Sequence, residues 1–228
     1  MRSVVRGTTI RCERCRQPSR WCICDGLRPV WCPLQVDVLA HHREIYRPSS
    51  TGLLIRRVLP ESRHHVWRRE RHLSAHDVRL PGRELWIVHP HGPPAPGGAR
   101  AEDVQLLLLD GAWGEASSMA REVASWGRTV SLPITGESRY WLRAQTDAGR
   151  FSTVEALLFL LRSFGLHEAA GVLAAQFELH VYVGLRARGR KETAEAFLAG
   201  SNLAAEFPAL LAALHTRRPH HACAAPDA

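Results

Sequence analysis

The stretch VQLLLLDGAWGEASSM, residues 104–119, runs through four leucines, stops on a carboxylate, turns at a glycine and continues into helix-forming sequence. No polar residue alternates with the leucines. The run therefore predicts a strand covered on both faces, which is how the strands of a parallel sheet sit. GEASSMAREVASW (114–126) directly behind it reads as a helix. In parallel α/β sheets ligands bind beyond the carboxyl ends of the strands, so Asp110 stands where such folds place their chemistry. The other reading of Asp110 is an N-cap on the following helix. A cap accounts for the carboxylate but not for Trp113, three residues on.

Outward from this segment the pattern repeats. LQVDVLAHH (34–42), RELWIVHP (83–90) and RTVSLP (128–133) read as further strands, the last stopped by a proline. RPSSTGLLIRRVLP (47–60) offers Ser49, Ser50 and Thr51 as N-caps before an apolar-periodic helix. FSTVEALLFLLRSFG (151–165) opens on a capping box, Ser152 with Glu155 three residues later, and closes on Gly165. Helical sequence continues over 167–189, RKETAEAFLAG and AEFPALLAALHTR, while residues 61–83 are basic, rich in histidine and only weakly periodic. HGPPAPGGARAED (91–103) is a Pro/Gly loop and not a linker, because strand sequence resumes at once. Strand–helix alternation in one chain predicts an α/β domain with a largely parallel sheet and flanking helices. The expected division is a cysteine-rich module over 10–32, the α/β domain over 33–216 and a disordered tail over 217–228.

The chain has 228 residues, 45% apolar and 23% charged, the balance of a folded globular protein. It lacks an apolar run of about 18 residues, and MRSVVRGTTIRCERC has no apolar segment with a cleavage site. The expected location is therefore cytoplasmic, with no membrane association. A net charge of +8 favours a polyanionic partner, above all nucleic acid. Use of arginine over lysine (Lys191 is the one lysine) explains the choice of cation but not the excess.

Of six cysteines, five lie between positions 12 and 32 and the sixth is Cys223. Cys12, Cys15, Cys22 and Cys24 form a C-x2-C pair and a C-x-C pair. Two such pairs close a tetrahedral shell around a structural Zn²⁺ with no open position. Arg11, Arg14, Arg16 and Arg20 favour the thiolates. Reduced, metal-free cysteines or a redox pair are the other readings, and Cys32 is either a substitute ligand or a small buried residue.

Three polar loops, DGAWGEA (110–116), LPITGESRYWLR (132–143) and FSTVEA (151–156), each follow a strand or open a helix, and together they predict one pocket at the sheet edge. Gly111 permits a tight turn or a close backbone approach. Trp113 is either a flat ligand surface or core, and Glu155 is either a ligand contact or only the partner of Ser152. Neither phosphate-loop glycine pattern nor a nucleophile elbow occurs. The histidine pairs at 41/42, 64/65 and 220/221 lack metal spacing.

In order along the chain, CERCRQPSRWCIC, HHREIYRPSSTG, LLLLDGAWGEA and LPITGESRYWLRAQ…FSTVEA resemble the motifs of the DTW-domain family, over roughly residues 12–156. Where the family's D-x-T-W signature has threonine, this chain has Ala112. The resemblance implies a SPOUT-like α/β fold with a knotted part that binds S-adenosylmethionine. It also implies transfer of that molecule's 3-amino-3-carboxypropyl group to N3 of a tRNA uridine, releasing 5′-methylthioadenosine. On this expectation Asp110 is the catalytic base or orienting acceptor. Gly111, Trp113, Leu132, Pro133, Thr153, Glu155 and Ala156 surround the co-substrate. Arg143 and Arg139 hold its carboxylate or an RNA phosphate. The HHRE loop, with His42 and Glu44, the basic stretch from Arg56 to Arg71 and the zinc module grip the tRNA. Alternatives are a SPOUT-type RNA methyltransferase, transfer of the same group to ribosomal RNA, and a zinc-ribbon RNA-binding protein whose catalytic loop has decayed. The sequence leaves the oligomeric state open.

Overall fold

The computed structural model describes residues 10–70, 73–143 and 150–217. Cys223 and the predicted disordered tail, except Arg217, lie outside the described residues, as do Arg71 and the His220/His221 pair. Strands β1 (Gln35–His41), β2 (Arg63–Trp67), β3 (Glu84–Val88), β4 (Val104–Asp110) and β5 (Arg128–Val130) build a five-stranded, all-parallel sheet in the order β2-β1-β4-β3-β5. Helices α1 (Thr51–Val58), α2 (Ala75–Val78), α3 (Trp113–Val123), α4 (Thr153–Ser163), α5 (His167–Ala187), α6 (Lys191–Ala199), α7 (Leu203–Glu206) and α8 (Pro208–Thr216) complete the architecture. The predicted α/β class with a parallel sheet and flanking helices is the one found. Among the described residues no helix is long and apolar enough to cross a membrane.

The described residues divide into two compact units, those within 28–177 and those within 10–27 together with 178–217. In the first, the sheet separates two apolar layers. Leu39, Leu85, Ile87 and Leu107 share one core with Met119 and Val123 of α3 and with Trp126. On the other face α4 packs on β4 and on α1, and Trp86 of β3 meets Phe164 with ring centroids 5.9 Å apart. Because β4 is covered on both faces, Leu106, Leu107 and Leu108 are all buried. Each contributes about 1.5–3 kcal/mol by leaving water.

The basic segment 61–83 hides an edge strand. β2 reads RHHVW because its first positions serve a charge, and only Trp67 at its end packs against the core. Asp37 of β1 is fully buried and accepts from Arg63 Nε (2.7 Å), Arg63 Nη2 (3.1 Å) and Gln105 Nε2 (2.6 Å), with His65 Nε2 at 3.0 Å. Arg63 and His65, two apart in a strand, share a face, so the positions that apolar alternation would fill carry Asp37's partners. A buried carboxylate is tolerated when it is paired and hydrogen-bonded in this way.

In the second unit the cysteine segment folds against the C-terminal helices. Trp21 lies edge-on to His215 (6.4 Å) and beneath the Arg186 guanidinium (5.0 Å). Arg217 donates to the Cys22 carbonyl (2.5 Å) and to the Asp25 carboxylate.

Candidate functional site

The sheet order creates a switch point. From β1 the chain crosses to β2 on one side, and from β4 it passes beyond β3 to β5 on the other. β1 and β4 are neighbours, with Ala40 opposite Asp110, so the crevice that parallel sheets use for ligands opens at Asp110. A cavity of about 310 Å³ lies there.

Asp110 is not the cap of α3. That position is Ala112, whose φ of −64° and ψ of 156° are those of an N-cap residue but whose methyl has nothing to accept with. Half of the cap survives: the Glu115 carboxylate accepts from Ala112 N–H (2.8 Å). Asp110 turns instead to the openings of two other helices. Ser50 Oγ, at the N-cap of α1, donates to Oδ2 (2.9 Å), and Thr153 Oγ1, the first residue of α4, donates to Oδ1 (2.8 Å). Burial raises its pKa. The Thr153 hydroxyl opposes the rise, the Glu44 charge adds to it, and Ser50 and Arg143 oppose it. The first turn of α1 lies so close that a Cβ on Gly52 would stand 2.6 Å from Asp110 Oδ2.

Gly111, Trp113, Leu132, Thr153, Ala156 and Arg143 all line the cavity with Asp110. Trp113 is 37% exposed and stacks under Arg150 (5.0 Å), so it is a wall of the pocket and not core. Arg143 Nη2 donates to Oε2 of the fully buried Glu44 (2.5 Å), whose other oxygen takes Arg47. Glu44 thus sits beneath the arginine as its anchor. Pro133 falls between the wall residues Leu132 and Ile134. The Glu155 carboxylate is occupied by Ser152 N (2.7 Å), Ser138 Oγ (2.8 Å) and Arg139 N (2.7 Å); it closes the capping box and clamps the 138–139 backbone to α4. The Arg139 side chain lies over Trp141 (5.8 Å). His42 packs on His41 (4.4 Å), which stacks on Trp67 (5.2 Å) and faces Glu115 (3.3 Å).

Sequence reading did not single out Tyr140, Arg150 or His89, which also line the cavity. Tyr140 donates its hydroxyl to the Ser49 carbonyl, tying the 132–143 loop to the α1 cap. For His89 a signal existed: it is the first residue past a buried strand's carboxyl end.

The four cysteine sulfurs lie within 4.8 Å of one another and are all buried; Cys12–Cys24 is 3.6 Å and Cys15–Cys22 is 3.8 Å. A tetrahedral Zn²⁺ with bonds of about 2.3 Å requires S···S separations of about 3.8 Å, so the group can hold a zinc ion. Hydrogen bonding with Cys15 and Cys22, then burial, drives the Cys24 thiol pKa far up. Such crowding favours a bound cation. Arg16, at φ 59°, makes the turn that closes the first pair, its N–H on the Cys12 carbonyl (2.8 Å). Cys32 belongs to the other unit and is not among the four.

Compared with known protein families, residues 9–183 match the model of the DTW domain. No solved structure matches the chain.

Proposed function

The chain belongs to the DTW-domain family, and from that premise we propose that it is a tRNA-modifying enzyme that transfers the 3-amino-3-carboxypropyl group of S-adenosylmethionine to N3 of a tRNA uridine. The observation that carries the reading is a buried carboxylate of raised pKa at a parallel-sheet switch point, in a cavity whose wall includes Arg143 and Arg150. Family membership is consistent with a tRNA-modifying activity, and a net charge of +8 suits a polyanionic substrate.

The wall chemistry fits an amphiphilic nucleoside. Leu109, Ala116, Leu132 and Ile134 offer an apolar surface, and the Arg143 and Arg150 side chains in the same wall give it the positive charge that suits a carboxylate. When bound, the donor supplies an electrophilic carbon beside a sulfonium, with a neutral thioether as leaving group. Which carbon reacts is decided by placement, and the residues that decide it are the Glu44-anchored Arg143 and the turn at Gly111. Asp110 takes the N3 proton of the uracil as the new N–C bond forms and the C–S bond breaks. Its raised pKa brings it nearer neutrality, where a general base works best. Ser50 and Thr153 hold the carboxylate in place while it does so. Trp113, exposed at the rim, suits stacking on a base. Gly111, Leu132, Pro133, Thr153 and Ala156 surround the donor. Arg139, His42 and the exposed Arg43 of the HHRE loop and the basic stretch hold RNA, the buried Glu44 serving only to anchor Arg143, and Cys12, Cys15, Cys22 and Cys24 hold a structural zinc.

The test is to incubate the protein with unmodified tRNA and donor labelled either at the carboxyl carbon or at the methyl, then digest the tRNA. Carboxyl label on uridine without methyl label is expected. Methyl label would make the protein a methyltransferase, and neither label, with tRNA still bound, would make it a binding protein.

A further inference from the structure

Tyr46 is a large aromatic side chain left 71% exposed on a loop that is otherwise tightly held. The loop joins β1 to α1 at the carboxyl edge of the sheet. Three successive turns set its course: Glu44 N–H donates to the His41 carbonyl (2.7 Å), Arg47 N–H to the Glu44 carbonyl (2.9 Å) and Ser50 N–H to the Arg47 carbonyl (2.9 Å). The fully buried Glu44 carboxylate takes Arg47 on one oxygen and Arg143 on the other. At the far end Tyr140 donates to the Ser49 carbonyl, and Ser50 Oγ donates to Asp110 (2.9 Å). A backbone fixed in this way loses little entropy when something docks on it. The Tyr46 side chain itself makes no hydrogen bond or ring contact with another described residue.

A single exposed aromatic is ordinary on a protein surface. This one differs in its place and its company. Ser50, whose hydroxyl touches Asp110, is four residues away, so the two Cα atoms are at most about 14 Å apart. Thr51 and Arg143, which the same loop leads to and anchors, line the cavity. Arg43, three residues before Tyr46, has a side chain 68% exposed, with Glu115 4.0 Å from its guanidinium. On the neighbouring strand Trp67 stands opposite His41, and the exposed Arg68 and Arg69 follow it at the same sheet edge. A presented ring among arginines is the make-up of a surface for single-stranded nucleic acid: the ring stacks on a base and the cations meet phosphates.

We propose that Tyr46 is the stacking platform for a nucleotide flanking the target uridine, with Arg43 on the phosphate beside it. The inference rests on the reading of the protein as an enzyme acting at N3 of a tRNA uridine. N3 lies on the base-pairing edge, so the uridine reacts only where the strand is unpaired. Unpaired RNA is held with its bases splayed and stacked on aromatic side chains. Trp113 at the rim of the cavity suits the uracil, and Tyr46 takes its neighbour. Tyr46 is thus a positioning residue, acting on the reacting base through the strand that carries it.

The experiment measures binding of unmodified tRNA by the full chain, native and with Tyr46→Ala, Tyr46→Phe, Tyr46→Trp or Arg43→Gln, and calorimetric binding of 5′-methylthioadenosine as a control for the cavity. Tyr46→Ala should weaken tRNA binding by roughly tenfold, the loss of one stacked base, and leave the nucleoside affinity unchanged. Tyr46→Phe and Tyr46→Trp should bind tRNA like the native protein. The slope of affinity against salt should persist in Tyr46→Ala and fall by about one in Arg43→Gln. Abasic sites are then placed one at a time at the two nucleotides on either side of the uridine that accepts the label. One of them should cost the native protein as much as Tyr46→Ala does, and cost the Tyr46→Ala protein nothing more. The proposal is overturned if Tyr46→Ala binds tRNA as the native protein does, or if Tyr46→Phe is as weak as Tyr46→Ala, which would assign the role to the hydroxyl. It is also overturned if Arg43→Gln keeps the native salt slope, or if no abasic position merges with the Tyr46→Ala loss. A native protein that binds no tRNA overturns it together with the tRNA reading. Methyl transfer with the Tyr46 effects intact would overturn the transfer chemistry and support the platform.

Discussion

Gly52→Ala isolates the placement of Asp110 from its chemistry. In most helices this exchange stabilises by roughly 0.5–1 kcal/mol, because alanine loses less backbone entropy. Here the added methyl carbon would stand 2.6 Å from Asp110 Oδ2 and 2.9 Å from its Cγ, with Val38 Cγ1 at 3.2 Å. To regain an ordinary contact the carboxylate must withdraw by about 0.8 Å. That shift stretches the bonds from Ser50 Oγ (2.9 Å) and Thr153 Oγ1 (2.8 Å) past useful length. Hydrogen bonds to a charged group are worth about 1.5–3 kcal/mol each, so losing part of one or both outweighs the helix gain. We expect a net loss of about 1–2 kcal/mol in stability, a folded protein, and turnover down by about 100-fold, the usual cost of misplacing a reacting group by about 1 Å. Thermal melting and single-turnover transfer of carboxyl-labelled donor to tRNA measure the two separately. A folded Gly52→Ala protein that turns over within about threefold of the native rate would refute the argument that the α1 turn holds the base in place.

Three further outcomes follow from other parts of the structure. Ala112→Thr restores an N-cap hydroxyl at a residue with capping dihedrals; it should stabilise by about 1 kcal/mol, raising Tm by about 2–4 °C, with turnover retained, and a drop in Tm would contradict the capping assignment. Burial, then the charges of Arg56 and His65, push the His64 pKa down to about 4. The unfolded chain therefore binds a proton that the folded chain refuses between pH 6.5 and 4, and stability must fall on acidification through that window, by at most on the order of 3 kcal/mol from this residue; denaturant melts of His64→Gln should show a shallower acid slope, and an unchanged slope would exclude His64 as its source. Chelation, or Cys24→Ser, should release one equivalent of zinc and loosen the cysteine segment, seen as faster hydrogen exchange over residues 12–26; purified protein without zinc and with full protection there would refute the metal assignment.

What the sequence made legible was local. The leucine run of β4 appears as a strand buried on both faces. Ser152 and Glu155 make the capping box, Gly165 ends α4 at φ 71°, and the four cysteines meet. Each of these follows from chemistry within a few residues. β2 escaped because its alternate positions answer a charge on β1, and no periodicity announces that. The Glu44–Arg143 pair is 99 residues apart in sequence, so the anchor beneath the arginine is a product of the sheet order. Trp113 was ambiguous until α3 was oriented: the helix buries Met119 and Val123 and leaves its first residue at the rim. The carboxylate of the opening motif was legible as a strand end, but its two hydroxyl donors come from helices that only the folded sheet brings to it.

The central claim is that Asp110 is the base in a transfer reaction, and Asp110→Asn tests it most directly. The asparagine keeps the shape of the side chain and cannot take a proton. Donor affinity by calorimetry should stay within a few-fold of native, while single-turnover transfer to tRNA should fall by about 100- to 10,000-fold, the range of a lost general base. Near-native transfer by the folded variant would contradict the account.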